Sequence, residues 1–132
     1  MSGSAKGVDG MARRDLTGAV DFNYLETYAG GDMALVEEVL GLFREQAAIW
    51  VRLLDPAAEG EAWRDAAHTL KGSARGIGAQ ALATACEAAE QAPADVGHRT
   101  LRLERVKDAL DAALADIAAY LHERAIQGIK RP

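Results

Sequence analysis

This chain of 132 residues has little that would brace a fold from outside its own packing. Its single cysteine, Cys86, cannot form an internal disulfide, so nothing points to an oxidising compartment. Prolines number only three, and the aromatic residues amount to 5%. That scarcity argues against sheets, which draw on aromatic and β-branched residues. Excess positive charge is absent as well: the formal net charge is −5 and the sequence pI about 5.2. Nucleic-acid binding, which needs a basic face to release counterions, is therefore not expected, and neither is docking on anionic membranes. No stretch approaches the roughly 18 consecutive apolar residues of a transmembrane helix. The N-terminus is polar and rich in Gly and Ser rather than basic and then apolar, so no signal peptide is expected. The expectation is a cytoplasmic protein.

What the chain does have is alanine, leucine, glutamate and arginine in helical patterns. Its length suits one domain with a real core. Residues 1–15 show no apolar period and read as a disordered lead or an expression scar. Residues 20–126 read as a helical bundle, and residues 127–132 as a frayed basic tail. Asp21 is placed to cap a short first helix to about Ala29, which Gly30-Gly31 ends. Asp32 caps a second helix to about Leu54. Val36, Val39, Leu40, Phe43, Ala47, Trp50 and Leu54 form one stripe of it. A further stripe of Leu35, Leu42, Ile49 and Leu53 widens the apolar arc, so the first helix is expected to cover part of it. The third helix runs from about Glu61 to Arg75, the fourth from about Ala79 to Ala92, and the fifth from about Thr100 to Ile126. Four long amphipathic helices with short connections imply an all-α, antiparallel four-helix bundle with an additional short N-terminal helix. Such a bundle closes within one chain, and a monomer is expected.

On the third helix Trp63, Ala66, Ala67, Leu70 and Ala74 form the apolar side. His68 falls opposite them, with Arg64, Lys71, Gly72 and Arg75 around it. For a lone helical histidine, a solvated surface position is the ordinary reading. Gly72 speaks against it here. A glycine within an exposed helix face costs about 1 kcal/mol relative to alanine, a strange choice in so alanine-rich a chain. It makes sense if something must approach the backbone beside His68. An exposed imidazole is largely unprotonated at neutral pH and keeps a ring lone pair. A phosphoryl group arriving there with a charge near −2 would be favoured by the cations nearby. A screened attraction to Lys71 would contribute about 1–2 kcal/mol.

The string His68-Thr69-Leu70-Lys71-Gly72-Ser73-Ala74, followed by Gly78-Ala79 and Leu82, resembles the signature of histidine-containing phosphotransfer (HPt) domains. Upstream, Asp21-Phe22, Leu25, Gly30-Gly31-Asp32, Leu35, Val39-Leu40 and Phe43 look like the family's short helix leading into its second, so the likeness covers about residues 20–122. The resemblance implies a phosphoryl carrier in a two-component phosphorelay, not an enzyme. His68 would be the phosphoacceptor, through the ring nitrogen farther from the backbone. Lys71 would stabilise the phosphoryl group, and Gly72 would admit the partner. A polar residue of the next helix would hold the inner ring nitrogen. Glu90 is the best placed by spacing, with Glu87 and Gln91 as alternatives. Arg64 and Arg75 would contribute to partner docking. The implied partners are response-regulator receiver domains and a sensor or hybrid histidine kinase. No cofactor is expected on this chain, and Mg²⁺ only on the receiver.

Three other readings compete. The phosphoacceptor segment of a histidine kinase usually carries an acid directly after its histidine and a proline soon after, whereas Thr69 follows here and no proline lies between His68 and Pro93. A metal-binding bundle built on Asp-x-x-His finds Asp65 before His68. The residues three before His98 and His122 are Asp95, in an expected loop, and Ala119. A scaffold without chemistry would keep its function when His68 is replaced.

Overall fold

Helix follows helix along the chain, and no strand occurs among the described residues, 16–130 of the computed structural model. The helices are α1 (Phe22–Tyr28), α2 (Met33–Arg52), α3 (Ala62–Gly76), α4 (Gln80–Glu90) and α5 (Val96–Lys130). The expected lead, residues 1–15, lies outside the described residues, as do residues 131–132. Asp21 and Asp32 cap α1 and α2 as their positions predict, accepting Tyr24 N–H at 3.0 Å and Leu35 N–H at 3.1 Å. The long helices α2–α5 form the bundle. Within it α4 packs against both α3 and α5, α2 packs against both α3 and α5, and α1 rests on α2.

The core is built from the stripes that helical spacing picks out. Val36, Leu40, Phe43 and Ala47 of α2 meet Trp63, Ala66, Ala67, Leu70 and Ala74 of α3, Leu82 and Cys86 of α4, and Val106, Leu110, Ala113 and Ile117 of α5. Burial of each large side chain contributes about 1.5–3 kcal/mol. Within this core Ala47, Ala66, Ala67, Ala74 and Ala113 let the helices approach closely. Trp63, the largest fully buried side chain, donates its indole N–H to the Ala89 carbonyl at 2.7 Å, which ties the start of α3 to the end of α4.

The chain before α1 is held by a buried acid. Asp116 of α5 is 1% exposed and accepts the backbone N–H groups of Thr17 and Ala19, each at 3.0 Å, together with the Thr17 hydroxyl. Those donors replace the water that the carboxylate gives up. The strap then reaches the α3–α4 turn, where Asp21 N–H donates to the Gly78 carbonyl at 3.0 Å. Only glycine suits position 78. Its φ is +79°, and a Cβ would stand 3.1 Å from the Asp21 carbonyl oxygen.

Three expectations need correction. The fifth helix begins at Val96 rather than near Thr100, because the Asp95 carboxylate accepts the N–H groups of Gly97 and His98 and so caps it. It also continues beyond Ile126, so residues 127–130 of the expected frayed tail are helical. On α2, Leu35, Leu42, Ile49 and Leu53 are all exposed: α1 is too short, and rests too lightly on α2, to cover that stripe.

Candidate functional site

His68 projects from the middle of α3 with 67% of its side chain exposed. The apolar side of α3 fixes this direction: Ala67 and Leu70 are buried on either side of it in sequence, so position 68 must face out. Glu90 comes to it from the last residue of α4, 22 positions along the chain, and its Oε2 lies 3.1 Å from His68 Nδ1. The other carboxylate oxygen, Oε1, accepts Lys71 Nζ at 2.7 Å. Lys71 and Glu90 are only 13% and 20% exposed, so this pair is much less screened than a surface salt bridge.

The Lys71 hydrogen bond is the chief reason that the Glu90 carboxyl is held below its ordinary range. Burial opposes this, and the His68 hydrogen bond adds to it. The group is therefore a carboxylate at neutral pH and can only accept. In the neutral ring Nδ1 must then carry the proton, which leaves the lone pair on Nε2. Nε2 has no hydrogen-bond partner among the described residues. The result is an exposed nucleophilic nitrogen whose opposite edge is held by an anion. Beneath it Cys86 is fully buried, its thiol pushed up to about 12 chiefly by burial, with Lys71 lowering it and Glu90 raising it.

Among the three acids and amides open on the fourth helix, the structure brings Glu90 to the ring. Glu87 pairs instead with Arg75 at 3.3 Å, and Gln91 lies exposed just past the helix end. Arg64 is exposed and reaches Glu61 at 3.5 Å. Lys71 is placed one turn from His68 as expected, but it lies folded onto Glu90 rather than free in solvent. Apart from the adjoining backbone of α3 itself, nothing among the described residues comes within 4 Å of where a Cβ at Gly72 would stand. The fold does not require glycine there, and the surface beside His68 is open at that point.

No group of three or more His, Cys, Asp or Glu among the described residues is placed to hold a metal ion. Asp95 and His98 do meet, through Oδ2 and Nδ1, but only as a local pair at the start of α5. Two residues escaped the sequence reading: Asp116 and the buried Arg99. Both fall on the core stripe of α5, four residues from Tyr120 and Leu103 respectively, and that register was the available signal.

The Hpt domain family model matches residues 33–121. Among solved structures, the crystal structure of the histidine phosphotransferase ShpA from Caulobacter crescentus is 55% identical and covers 86% of this chain and 100% of its own, with a TM-score of 0.71. No curated protein matches the chain. The chain belongs to the Hpt domain family, and its helical bundle is that family's fold.

Proposed function

We propose that this chain carries phosphoryl groups in a two-component phosphorelay, with His68 as the acceptor. The observation that carries the reading is the ring's bonding: Nδ1 is held by the Glu90 carboxylate, while Nε2 is unbonded and exposed. In the transfer, the Nε2 lone pair attacks the phosphorus of a receiver's aspartyl phosphate. The N–P bond forms as the P–O bond to the aspartyl carboxylate breaks, and the carboxylate leaves with that electron pair. The imidazole becomes cationic with its proton still on Nδ1, and Glu90 lies 3.1 Å from that atom to stabilise the charge. Transfer to the next receiver is the same step reversed.

Lys71 acts in two ways. It keeps Glu90 ionised, and it adds positive potential beside the phosphoryl oxygens. Gly72 leaves a face on which the receiver's loops reach Nε2, with Arg64 and Arg75 at its edges. The exposed Leu35, Leu42 and Ile49 of α2 offer apolar contacts for the same partner. The receiver brings its own Mg²⁺, and this chain brings the nucleophile and the docking surface. A cytoplasmic monomer fits this role, with no helix long and apolar enough to cross a membrane among the described residues.

The test is incubation with a phosphorylated receiver. The chain should gain an acid-labile, base-stable label that His68→Gln abolishes. A label that survives in His68→Gln, or no uptake from any receiver of the source organism, would sink the assignment.

A further inference from the structure

A second feature lies at the end of the bundle where α2 finishes and α5 begins. A pocket of about 330 Å³ opens there, lined by residues 56–60 of the α2–α3 connection together with Ala94, Val96 and Arg99. Arg99 is 7% exposed, yet no acid stands within ion-pair distance of it among the described residues. Its guanidinium lies over the Trp63 ring, 5.1 Å from the centroid, and Nη1 donates to the Ala58 carbonyl at 2.9 Å. Among the described residues, Nε is buried with no acceptor, and Nη2 is neither bonded nor sealed from solvent.

A stapling role explains only part of this. Holding Ala58 to α5 needs one N–H, and the ring face recovers some of the lost hydration. A guanidinium taken from water with an unmatched charge and an orphaned N–H remains expensive, and an anion would offset both. The acids nearby limit which anion. Glu59 lines the pocket from the exposed connection, and Asp95, at the adjoining start of α5, is engaged by Gly97 and His98. A single buried cation in a pocket that already carries the Glu59 carboxylate on its lining suits a monoanion and disfavours a dianion such as phosphate. Apart from Arg99 and Glu59, the walls are the apolar groups of proline, alanine and valine, together with Gly60.

We propose that this pocket binds a small organic monocarboxylate, its carboxylate paired with Arg99 from the Nη2 side and its short apolar tail against Pro56, Ala94 and Val96. The site is separate from His68 and requires no phosphoryl chemistry. It is tested on the full chain by titrating sodium propionate at constant ionic strength, following the Arg99 Nε–H and Trp63 indole N–H resonances by ¹⁵N NMR. Both should shift saturably, and inorganic phosphate should bind at least about threefold more weakly. Arg99→Lys, which keeps the charge but loses the planar fork, should weaken propionate binding by about tenfold. Glu59→Gln, an exposed substitution that leaves the fold intact, should tighten it by about threefold. Shifts that stay linear, phosphate binding as tightly as propionate, or a Glu59→Gln titration identical to that of the parent chain would each overturn the proposal.

Discussion

Two histidines in this bundle present the same pair of atoms and differ in everything around them. His68 and His98 each direct Nδ1 at a carboxylate, and each is more than half exposed. At His98 the acid is Asp95, three residues back and 53% exposed, and its oxygens are already engaged in capping α5. At His68 the acid comes from another helix, is 20% exposed, and is shared with a lysine. An imidazole beside a carboxylate is therefore not a site in itself. The difference lies in a carboxylate fixed by tertiary packing and kept ionised by a neighbouring ammonium, with open backbone one turn away. Those features need three residues on α3 and one on α4 to coincide, whereas the α5 pair needs only helix geometry.

The comparison breaks most decisively on the rings themselves. His68→Gln should reduce phosphoryl uptake to background, while His98→Gln should leave it within about twofold, measured with one phosphorylated receiver. Equal losses in both would erase the distinction. Next come the glycines. Gly72→Leu should slow transfer by roughly ten- to a hundredfold, the cost of about 1–3 kcal/mol for an overfilled contact, with no loss of thermal stability. Gly97→Leu, beside His98, should leave the transfer rate unchanged. Gly72→Ala should raise stability by up to about 1 kcal/mol in urea titrations, since its Cβ meets nothing.

Smaller effects separate the acids. Glu90→Gln keeps an acceptor for Nδ1–H but removes the charge, and should lower the transfer rate by about tenfold. Asp95→Asn should leave the rate alone and lower the melting temperature slightly. The smallest effect is on acid stability. Both carboxyls are held below their ordinary values, 4.5 for Glu90 and 3.8 for Asp95, chiefly by the hydrogen bonds from Lys71 and His98 respectively. Each therefore contributes stability that is fully present above the unfolded value and lost as pH falls through the folded one. Glu90→Gln should make the acid limb of the stability curve shallower at any salt. For the exposed Asp95, the effect of Asp95→Asn should fade at high salt.

Much of this was legible in the sequence, for physical reasons that stop at definite points. Periodicity found the helices because each buries one face, the aspartate caps found the starts of α1 and α2, and the glycine pair found the end of α1. The family resemblance asked for a polar residue on the next helix, and spacing favoured Glu90 without excluding Glu87 or Gln91. Only the packing of α4 on α3 decides which of them meets the ring. The α2 stripe misled because apolar spacing marks what can be buried, not what is: none of the described residues covers Leu35, Leu42 and Ile49. The start of α5 was missed because Pro93 and Gly97 resemble loop punctuation, while Asp95 between them is the cap. Arg99 and Asp116 stayed hidden because a charge reads as solvent-facing until the elements that seal it are in place.

The burial of Cys86 turns the molecule into its own gauge of opening. A thiol with no exposure, and held at about 12, offers alkylating reagents neither access nor thiolate while the helices are closed. Modification then records an excursion in which α4 has left its neighbours. Because it is the chain's sole cysteine, every adduct counts one such event, and the labelling rate reports how often the floor beneath His68 gives way.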